Sequence, residues 1–434
     1  MTPEFLGGLG LVVLIILLFA RMWIGAAMAL VGLVGYAAIL GPKAALGVVS
    51  QIPFTTVGDY PLSAVPLFIF MGVILFYTNI GQDLFESAYK WVGSFRGGLA
   101  MASTVACAFY AAITGVSAPA LSTMGKVALP KMREYRYNER LAVGSIICAG
   151  PLAFIIPPSM SFIIYGILTE NSVGELYIAG IIPGLLLVFL FCLTVWLITL
   201  RNPQAGSPGP KTTVREKIAA LKGTWHAILL FLLMLGGIYA GVFTPTEAGA
   251  VGSFGAILIG VFTRRLKFKD FLASLFEAGQ TTAMVMFLIV GAYIFMKFMA
   301  VSRLPALLGA TAAALPVSRW VILLALVVVY TILGMFLDIF SAIILTMPIT
   351  YPLILQLGFD PIWFGVMVTL WVMMGEVTPP VGLDAYLFSG LSGVPLSTVF
   401  SSVWPFLIAE YVCMILIACF PQLALWLPSM MVVK

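Results

Sequence analysis

The chain interrupts itself twice, in the same way, inside sequence apolar enough to lie within a bilayer. Ile156-Pro157-Pro158-Ser159 and Val377-Thr378-Pro379-Pro380-Val381-Gly382 each set a Pro-Pro step in such a run. Another proline, Pro183 or Pro405, follows each step by 25 residues. Proline removes a backbone donor and frees carbonyls that lipid cannot satisfy. Such breaks persist where protein, water or an ion meets the freed groups. A second copy in the other half turns a kink into a plan: two discontinuous helices meeting at a repeat interface, the arrangement of secondary transporters.

Composition agrees with a membrane setting. Of 434 residues, 62% are hydrophobic and only 9% are charged, against about 25% in soluble domains. Apolar runs of roughly 17–25 residues, the length of a spanning helix, recur along the chain. The net charge of +5 does not mark a nucleic-acid partner, because the basic residues gather in loops between the apolar runs. Cys107, Cys148, Cys192, Cys413 and Cys419 lie in apolar runs without metal-ligand spacing. They are expected to be small buried thiols, with no disulfide framework. Residues 5–20 imitate a signal peptide but lack a basic n-region and lead straight into residues 22–40, so a retained span is expected.

The pattern predicts an all-α polytopic membrane protein built from two inverted repeats. The first repeat, 1–200, carries spans near 5–20, 23–40 and 64–80, a re-entrant hairpin at 98–130, a broken helix at 140–169 and a span near 178–200. A hydrophilic connector occupies 201–223. The second repeat, 224–434, follows the same order: spans near 224–241, 246–263 and 281–300, a re-entrant hairpin at 319–350, a broken helix at 361–391 and a span near 402–427. Each half also carries a short amphipathic stretch ahead of its hairpin. Phe85, Tyr89, Val92 and Phe95 recur at helical spacing in the first, and Phe268, Phe271, Leu272, Leu275 and Phe276 in the second. Both are expected to lie along the membrane surface.

Charge sets the orientation. With re-entrant hairpins each half crosses five times, so the second half starts on the opposite face. One face then receives 17 of the 22 basic residues, leaving Lys43, Lys297, Arg303, Arg319 and Lys434 elsewhere. The rich face is expected to be cytoplasmic, with both termini periplasmic.

The chemistry falls at the hairpin tips and breaks. The first tip is expected at Thr114-Gly115-Val116-Ser117-Ala118-Pro119, beside a break at 153–159. Hydroxyls and unwound carbonyls there suit a hard monovalent cation such as Na⁺. The second tip is expected at Gly334-Met335-Phe336-Leu337-Asp338, beside residues 375–382. Asp338, an ionisable group in apolar sequence, is a functional candidate. It could bind an ion, contact substrate or cap the following helix. Helix N-termini at both tips would favour an anionic, carboxylate-bearing solute. Of the other buried-run charges, Glu376 or Asp384 could pair with Lys297. For these and Glu410 a structural ion pair or interfacial place is expected over a coupling role. His226 is expected at headgroup level. One histidine, no cluster of metal-ligating residues and no phosphate-binding Gly-rich loop argue against an enzyme, an organic cofactor or a transition-metal site.

The motifs resemble a known family. Pro66-Leu67-Phe68-Ile69-Phe70-Met71-Gly72, Gly97-Gly98-Leu99-Ala100, Ile155-Ile156-Pro157-Pro158-Ser159 and Ala179-Gly180-Ile181-Ile182-Pro183-Gly184 resemble signatures of the large membrane (M) subunit of tripartite ATP-independent periplasmic (TRAP) transporters, the DctM-like family. So do Phe243-Thr244-Pro245-Thr246-Glu247-Ala248, Gly334-Met335-Phe336-Leu337-Asp338 and Thr378-Pro379-Pro380-Val381-Gly382. They run in family order over nearly the whole chain. The resemblance implies a subunit of the bacterial inner membrane, with the fold of the ion-transporter superfamily and an elevator-type motion. It implies Na⁺-gradient-driven uptake of a small organic anion: a C4-dicarboxylate, keto acid or sugar acid. The implied partners are a small four-helix membrane subunit and a soluble periplasmic substrate-binding protein.

Carried over by position, one Na⁺ site would use Thr114, Gly115 and Ser117 with carbonyls around Ala153, Ile156 and Pro158. The other would use Gly334, Gly375, Thr378 and the Val381 carbonyl. Substrate would lie near Ser117, Ser159 and Asp338. This sequence departs from the family pattern at Thr114 and Val116, in a tip usually denser in Ser and Gly. It departs also at Ala153, Glu376 and Asp384, where Gly, an apolar residue and often Asn are usual. Val116 removes a possible hydroxyl contact, and Glu376 leaves open a different coupling ion, including a proton. The competing readings are a stand-alone Na⁺- or H⁺-coupled carboxylate symporter or antiporter, and a membrane-embedded enzyme or scaffold subunit.

Overall fold

The computed structural model describes residues 2–314 and 316–431, and every regular element among them is helical. The first half opens with α1 (Pro3–Phe19), α2 (Ile24–Leu40), α3 (Pro42–Val57), α4 (Ala64–Tyr77) and α5 (Ile80–Val92). Prolines at the first turn of α1 and α3 sit where a missing N–H costs nothing. The first hairpin is α6 (Gly98–Thr114) and α7 (Ser117–Glu134). The first broken helix is α8 (Glu139–Ile147), a 3₁₀ turn (Gly150–Phe154) and α9 (Met160–Thr169). The half closes with α10 (Val173–Arg201), and the connector folds α11 (Val214–Ala220).

The order then recurs. It runs α12 (Trp225–Tyr239), α13 (Pro245–Phe262), α14 (Phe268–Ser302) and α15 (Leu304–Ala314). The second hairpin is α16 (Arg319–Phe336) and α17 (Ile339–Gln356), and the second broken helix is α18 (Pro361–Val377) and α19 (Leu383–Ser392). The chain ends with α20 (Leu396–Cys419) and α21 (Gln422–Ser429).

Packing repeats with the order. Helix α2 crosses α14 as α13 crosses α4, and α1 lies on α2 as α12 lies on α13. Deeper in, α9 packs on α17 as α19 packs on α7, so each broken helix leans on the other half's hairpin. Lipid gives no hydrophobic drive for helix association, so close backbone approach must supply it. Gly25, Gly32 and Gly291 do this at the α2–α14 crossing. A Cβ on Gly25 or Gly32 would meet the α14 backbone, and one on Gly291 would meet that of Gly25. Outward, Ile16, Val34, Phe189, Phe254, Leu324 and Ile408 are exposed, the apolar belt of an integral membrane protein. Six of the described helices are individually long and apolar enough to cross a bilayer.

One end of the bundle collects the segments assigned to the basic face. Arg265 pairs with Asp83, and Thr212 donates to the Lys90 carbonyl at 2.7 Å. Tyr137 donates to the Ser207 carbonyl at 2.7 Å. These contacts tie α5, the connector, the α13–α14 turn and the foot of the first hairpin together.

Several sequence expectations need correction. The amphipathic stretch at 268–277 is no separate surface helix, because it opens the continuous 35-residue α14. Its counterpart in chain order is α3, which joins α4 through a 58° bend. The counterpart of α5, ahead of the second hairpin, is the unexpected α15. The run at 402–427 is split between α20 and α21. The connector is partly helical, started by a capping box in which Thr213 and Glu216 exchange hydrogen bonds. Cys107, Cys148 and Cys413 are buried, but Cys192 is only partly so and Cys419 is exposed. Lys434 lies outside the described residues.

Candidate functional site

In an unbroken helix the carbonyls of Ala153 and Phe154 would accept from residues 157 and 158, and both are prolines. The chain instead leaves α8 through the 3₁₀ turn and runs extended at Ser159 into α9. Two hydroxyls reach back to Phe154: Ser159 donates to its carbonyl at 2.5 Å and Ser161 at 2.7 Å. The Ala153 carbonyl receives no hydrogen bond from the described residues. Above it sits the first tip. Gly115 closes α6 in the left-handed region, φ 68°, and a Cβ there would lie 3.4 Å from the Pro158 carbonyl oxygen and from Met160. Thr114 turns its hydroxyl to the carbonyls of Ala111 and Val116, at 3.3 and 3.2 Å. Ile156 and Pro158 are buried beneath.

The second break repeats the backbone plan. Pro379 and Pro380 free the carbonyls of Gly375 and Glu376. The Thr378 N–H returns to the Gly375 carbonyl at 3.0 Å, and its hydroxyl donates to the Met374 carbonyl at 2.5 Å. Gly382, φ 59°, precedes α19, with Val381 partly exposed before it. The Pro157–Pro158 and Pro379–Pro380 bonds are both cis. Helices α16 and α18 touch backbone to backbone here: a Cβ on Gly334 would strike the Val372 carbonyl, and one on Gly375 the Thr331 carbonyl. Asp338 caps α17, accepting from the Ser341 N–H at 3.2 Å and the Ser341 hydroxyl at 2.5 Å. Glu376 completes that cap from the facing helix, accepting the Ile339 N–H at 2.9 Å.

The two tips and two breaks form one cluster. Ser117, the first residue of α7, donates to Asp384 at 3.0 Å, which fastens the first tip to the second break. Phe154 of the first break meets Phe340 of the second hairpin edge-on, ring centroids 5.9 Å apart. Asp338 and Asp384 both lie within electrostatic reach of Glu376. Glu376 and Asp384 are 3% and 5% exposed, and one oxygen of each has no hydrogen-bond partner among the described residues. A buried carboxylate left half-satisfied is costly, and a cation beside it removes that cost. The donor set is hydroxyl, carbonyl and carboxylate oxygen, which suits a hard cation. No group of three or more His, Cys, Asp or Glu among the described residues could hold a metal ion.

Of the expected substrate residues, Ser117 is committed to Asp384 and Ser159 to Phe154, while Asp338 is exposed at the tip and engaged in capping. Lys297 is exposed on α14 and pairs with neither Glu376 nor Asp384, so that expected ion pair is absent. His226 is the second residue of α12, at a span end. Sequence reasoning missed Ser161 and the Phe154 carbonyl. It also missed that Glu376 and Asp384 each clasp a hairpin tip; the only signal was their departure from the family pattern. Glu410, fully buried on α20, has both oxygens unpartnered and lies within electrostatic reach of Cys148, where α8 ends.

Cavities open both beside this cluster and away from it. One of about 340 Å³ reaches the first tip at Thr114 and Val116, between α4, α14 and α19. A larger one, about 610 Å³, lies at the end opposite the basic face, with Asp59, Glu170, Glu175 and Glu247 on its wall, and touches neither tip.

The family described as "Tripartite ATP-independent periplasmic transporter, DctM component" matches residues 11–423. The C4-dicarboxylate TRAP transporter large permease protein DctM of Pseudomonas aeruginosa is 32% identical, covering 87% of this chain and 88% of that protein. The sialic acid TRAP transporter large permease protein SiaM of Vibrio cholerae is 30% identical, covering 95% and 96%. Among solved structures, the Alcanivorax borkumensis YdaH transporter superposes with a TM-score of 0.59 at 14% identity, over 88% of this chain and 90% of that one, a likeness of fold.

Proposed function

The chain belongs to the DctM family of tripartite ATP-independent periplasmic transporters, the large-permease component, and on that premise we propose that it carries a small organic anion inward against its gradient by coupling to Na⁺. It is a transport subunit, not an enzyme, as its relatives are permeases. The observation that carries the coupling is the convergence of both tips on both breaks, with unpartnered oxygens of Glu376 and Asp384 left facing the cluster. In this reading one Na⁺ lies between Thr114, Gly115, Ser117 and the Ala153, Ile156 and Pro158 carbonyls. A second lies by Gly334, Gly375, Thr378 and Val381. Ions bound there neutralise the buried carboxylates and draw the tips onto the breaks. Substrate then docks near Ser117, Ser159 and Asp338, against helix N-termini.

The relatives are named for C4-dicarboxylate and sialic acid, both carboxylate-bearing, and we read this cargo as a carboxylate too. The hairpins and broken helices move as one body past the α2–α14 and α4–α13 scaffold, an elevator motion. A small membrane subunit braces that scaffold, and a periplasmic binding protein delivers the anion. The setting is the bacterial inner membrane with both termini outside, consistent with the gathering of basic loops at one end of the bundle.

The test is uptake of a labelled carboxylate panel into proteoliposomes holding the permease, small subunit and binding protein. Uptake is expected with an inward Na⁺ gradient and lost when K⁺ replaces Na⁺. Na⁺-independent uptake that follows a pH gradient overturns the coupling. Uptake that persists without the binding protein moves the assignment to a stand-alone Na⁺- or H⁺-coupled symporter.

A further inference from the structure

A crevice of about 460 Å³ opens in the flank of the bundle and touches neither hairpin tip. One wall is built from α6, α10 and the first break, where Ile156 and Pro157 reach its surface. The other wall is α12, and Leu427 of α21 also lines the space. Among the described lining residues no side chain is charged, and the Tyr239 hydroxyl is the one polar side-chain group. Phe109, Leu185 and Leu232 stand at the rim, 41%, 58% and 59% exposed. Through them the crevice is continuous with the apolar belt that faces lipid. Its room is real at α12: a Cβ on Gly236 would meet nothing within 4 Å, whereas one on Gly237 would strike Phe243.

We infer that this crevice binds one acyl chain of a membrane phospholipid, drawn from the surrounding bilayer. Water does not hold such a space, because a buried water needs about two to four polar partners and one hydroxyl supplies too few. A helix of another chain, about 10 Å across and rising about 5.4 Å per turn, displaces about 420 Å³ in each turn. The crevice would seat little more than one turn of it. Left empty, its walls forfeit the dispersion contacts that a filling group returns. The neighbouring medium is hydrocarbon, and a flexible chain enters where a rod does not. Tyr239, the last residue of α12, marks the headgroup end, the level at which amphipathic rings gather. Deeper in, the chain bears on the first break through Pro157 and Ile156. Ile156 lies so close to Gly184 of α10 that a Cβ there would strike it. The bound chain thus fills the space between α12 and the break and steadies their packing. The site needs only the membrane setting and does not rest on the coupling ion.

The test places the full-length permease with its small subunit in vesicles of phosphatidylethanolamine and phosphatidylglycerol in equal parts. A trace of the phosphatidylethanolamine carries a photoreactive diazirine in one acyl chain, and labelled peptides are read by mass spectrometry. Peptides holding Phe109 and Leu185 are expected to carry at least about fivefold more label than belt peptides holding Phe254 and Ile408, the ratio that about 1 kcal/mol of preference supplies. Gly236→Phe puts the protein's own ring into the crevice, and Leu232→Trp narrows its mouth at an exposed position. Each is expected to bring crevice label down to belt level while belt label holds. Delipidated permease is expected to melt at a higher temperature once the phospholipid is returned, and Gly236→Phe to gain less than about half that rise. Crevice label no greater than belt label, or label that both variants leave unchanged, overturns the inference. A diazirine fatty acid that labels the crevice where the diazirine phospholipid does not assigns the site to a free acid and overturns it as well. No ion gradient or substrate enters the measurement. Its failure therefore leaves the coupling reading standing, and lost Na⁺-driven uptake leaves the acyl-chain site standing.

Discussion

At the first break two serine hydroxyls converge on the Phe154 carbonyl, and nothing charged is involved. At the second, carboxylates do the joining: Glu376 holds the start of α17 and Asp384 holds Ser117 of the opposite hairpin. The backbone plan is shared, down to a pair of prolines and the carbonyls they free. The completion differs. A neutral break can stay closed whether or not an ion is present. On the proposed Na⁺ coupling, the carboxylate-lined break is the one whose closure a bound cation would favour. Asp384, which accepts from Ser117 of the first tip, would link that change to the opposite hairpin.

The two breaks differ most at their matched backbone positions. Ala153 and Gly375 are each the fourth residue before their Pro-Pro step. The first break already accommodates a Cβ there, whereas at the second a Cβ would strike the α16 backbone. Gly375→Ala is expected to cost about 1–3 kcal/mol through overpacking and to abolish uptake. Ala153→Gly is expected to cost at most about 1 kcal/mol and to leave substantial uptake. Melting curves and proteoliposome flux, taken on the same preparations, check both. Similar losses at the two positions would show the halves to be packed alike.

Next in size comes Glu376. Glu376→Ala strands the Ile339 N–H, a loss of about 1–3 kcal/mol, and is expected to cut uptake at least about tenfold. Ser161→Ala leaves Ser159 on the Phe154 carbonyl and is expected to cost only about 0.5–1.5 kcal/mol. If the serine change proves the more damaging in flux, the first break is the more demanding one. Asp384→Asn then separates charge from hydrogen bonding. Asparagine can still accept from Ser117, so maximal uptake is expected to hold. The Na⁺ concentration for half-maximal uptake is expected to rise about tenfold, equivalent to about 1.4 kcal/mol. An unchanged Na⁺ dependence would reduce Asp384 to a structural clasp.

The smallest effect is expected away from both breaks and serves as their control. The Thr213 N–H donates to Glu216 at 2.7 Å and holds that carboxyl below its ordinary value of 4.5. A lowered folded value means the stabilisation is full above pH 4.5 and fades as pH falls through the lowered value. Hydrogen-exchange protection in α11, taken relative to the intrinsic exchange rate at each pH, should therefore fall slightly on acidification through that window and stay level above it. Glu216→Gln, which removes the titrating carboxyl, should remove the dependence.

Much of the architecture was readable because apolar length and paired prolines are local signals. The helix pairs α6–α7 and α16–α17 and the breaks at Pro157-Pro158 and Pro379-Pro380 fall on such signals. Helix α3 escaped because Lys43, Ser50, Gln51, Thr55 and Thr56 dilute its apolar character. The fusion of 268–277 into α14 was legible only as an absence: no proline interrupts 268–302. The clasps were beyond reach of any spacing rule, since Ser117 and Asp384 are 267 residues apart. Ser161 lacked a signal because a serine after a break is ordinary until its carbonyl partner is known.

Helix α14 is longer than a bilayer's hydrocarbon is thick. Its 35 residues, at about 1.5 Å each, make a rod of about 52 Å, against about 30 Å of hydrocarbon. Fitting that length inside would take a lean of more than about 50°, beyond the roughly 0–40° that spanning helices adopt. The rod therefore juts from one face as a stiff post, while the α3–α4 elbow folds the equivalent length aside on the other. The post is one unbroken helix with the crossing at Gly25 and Gly291, whereas a 58° joint separates α3 from α4.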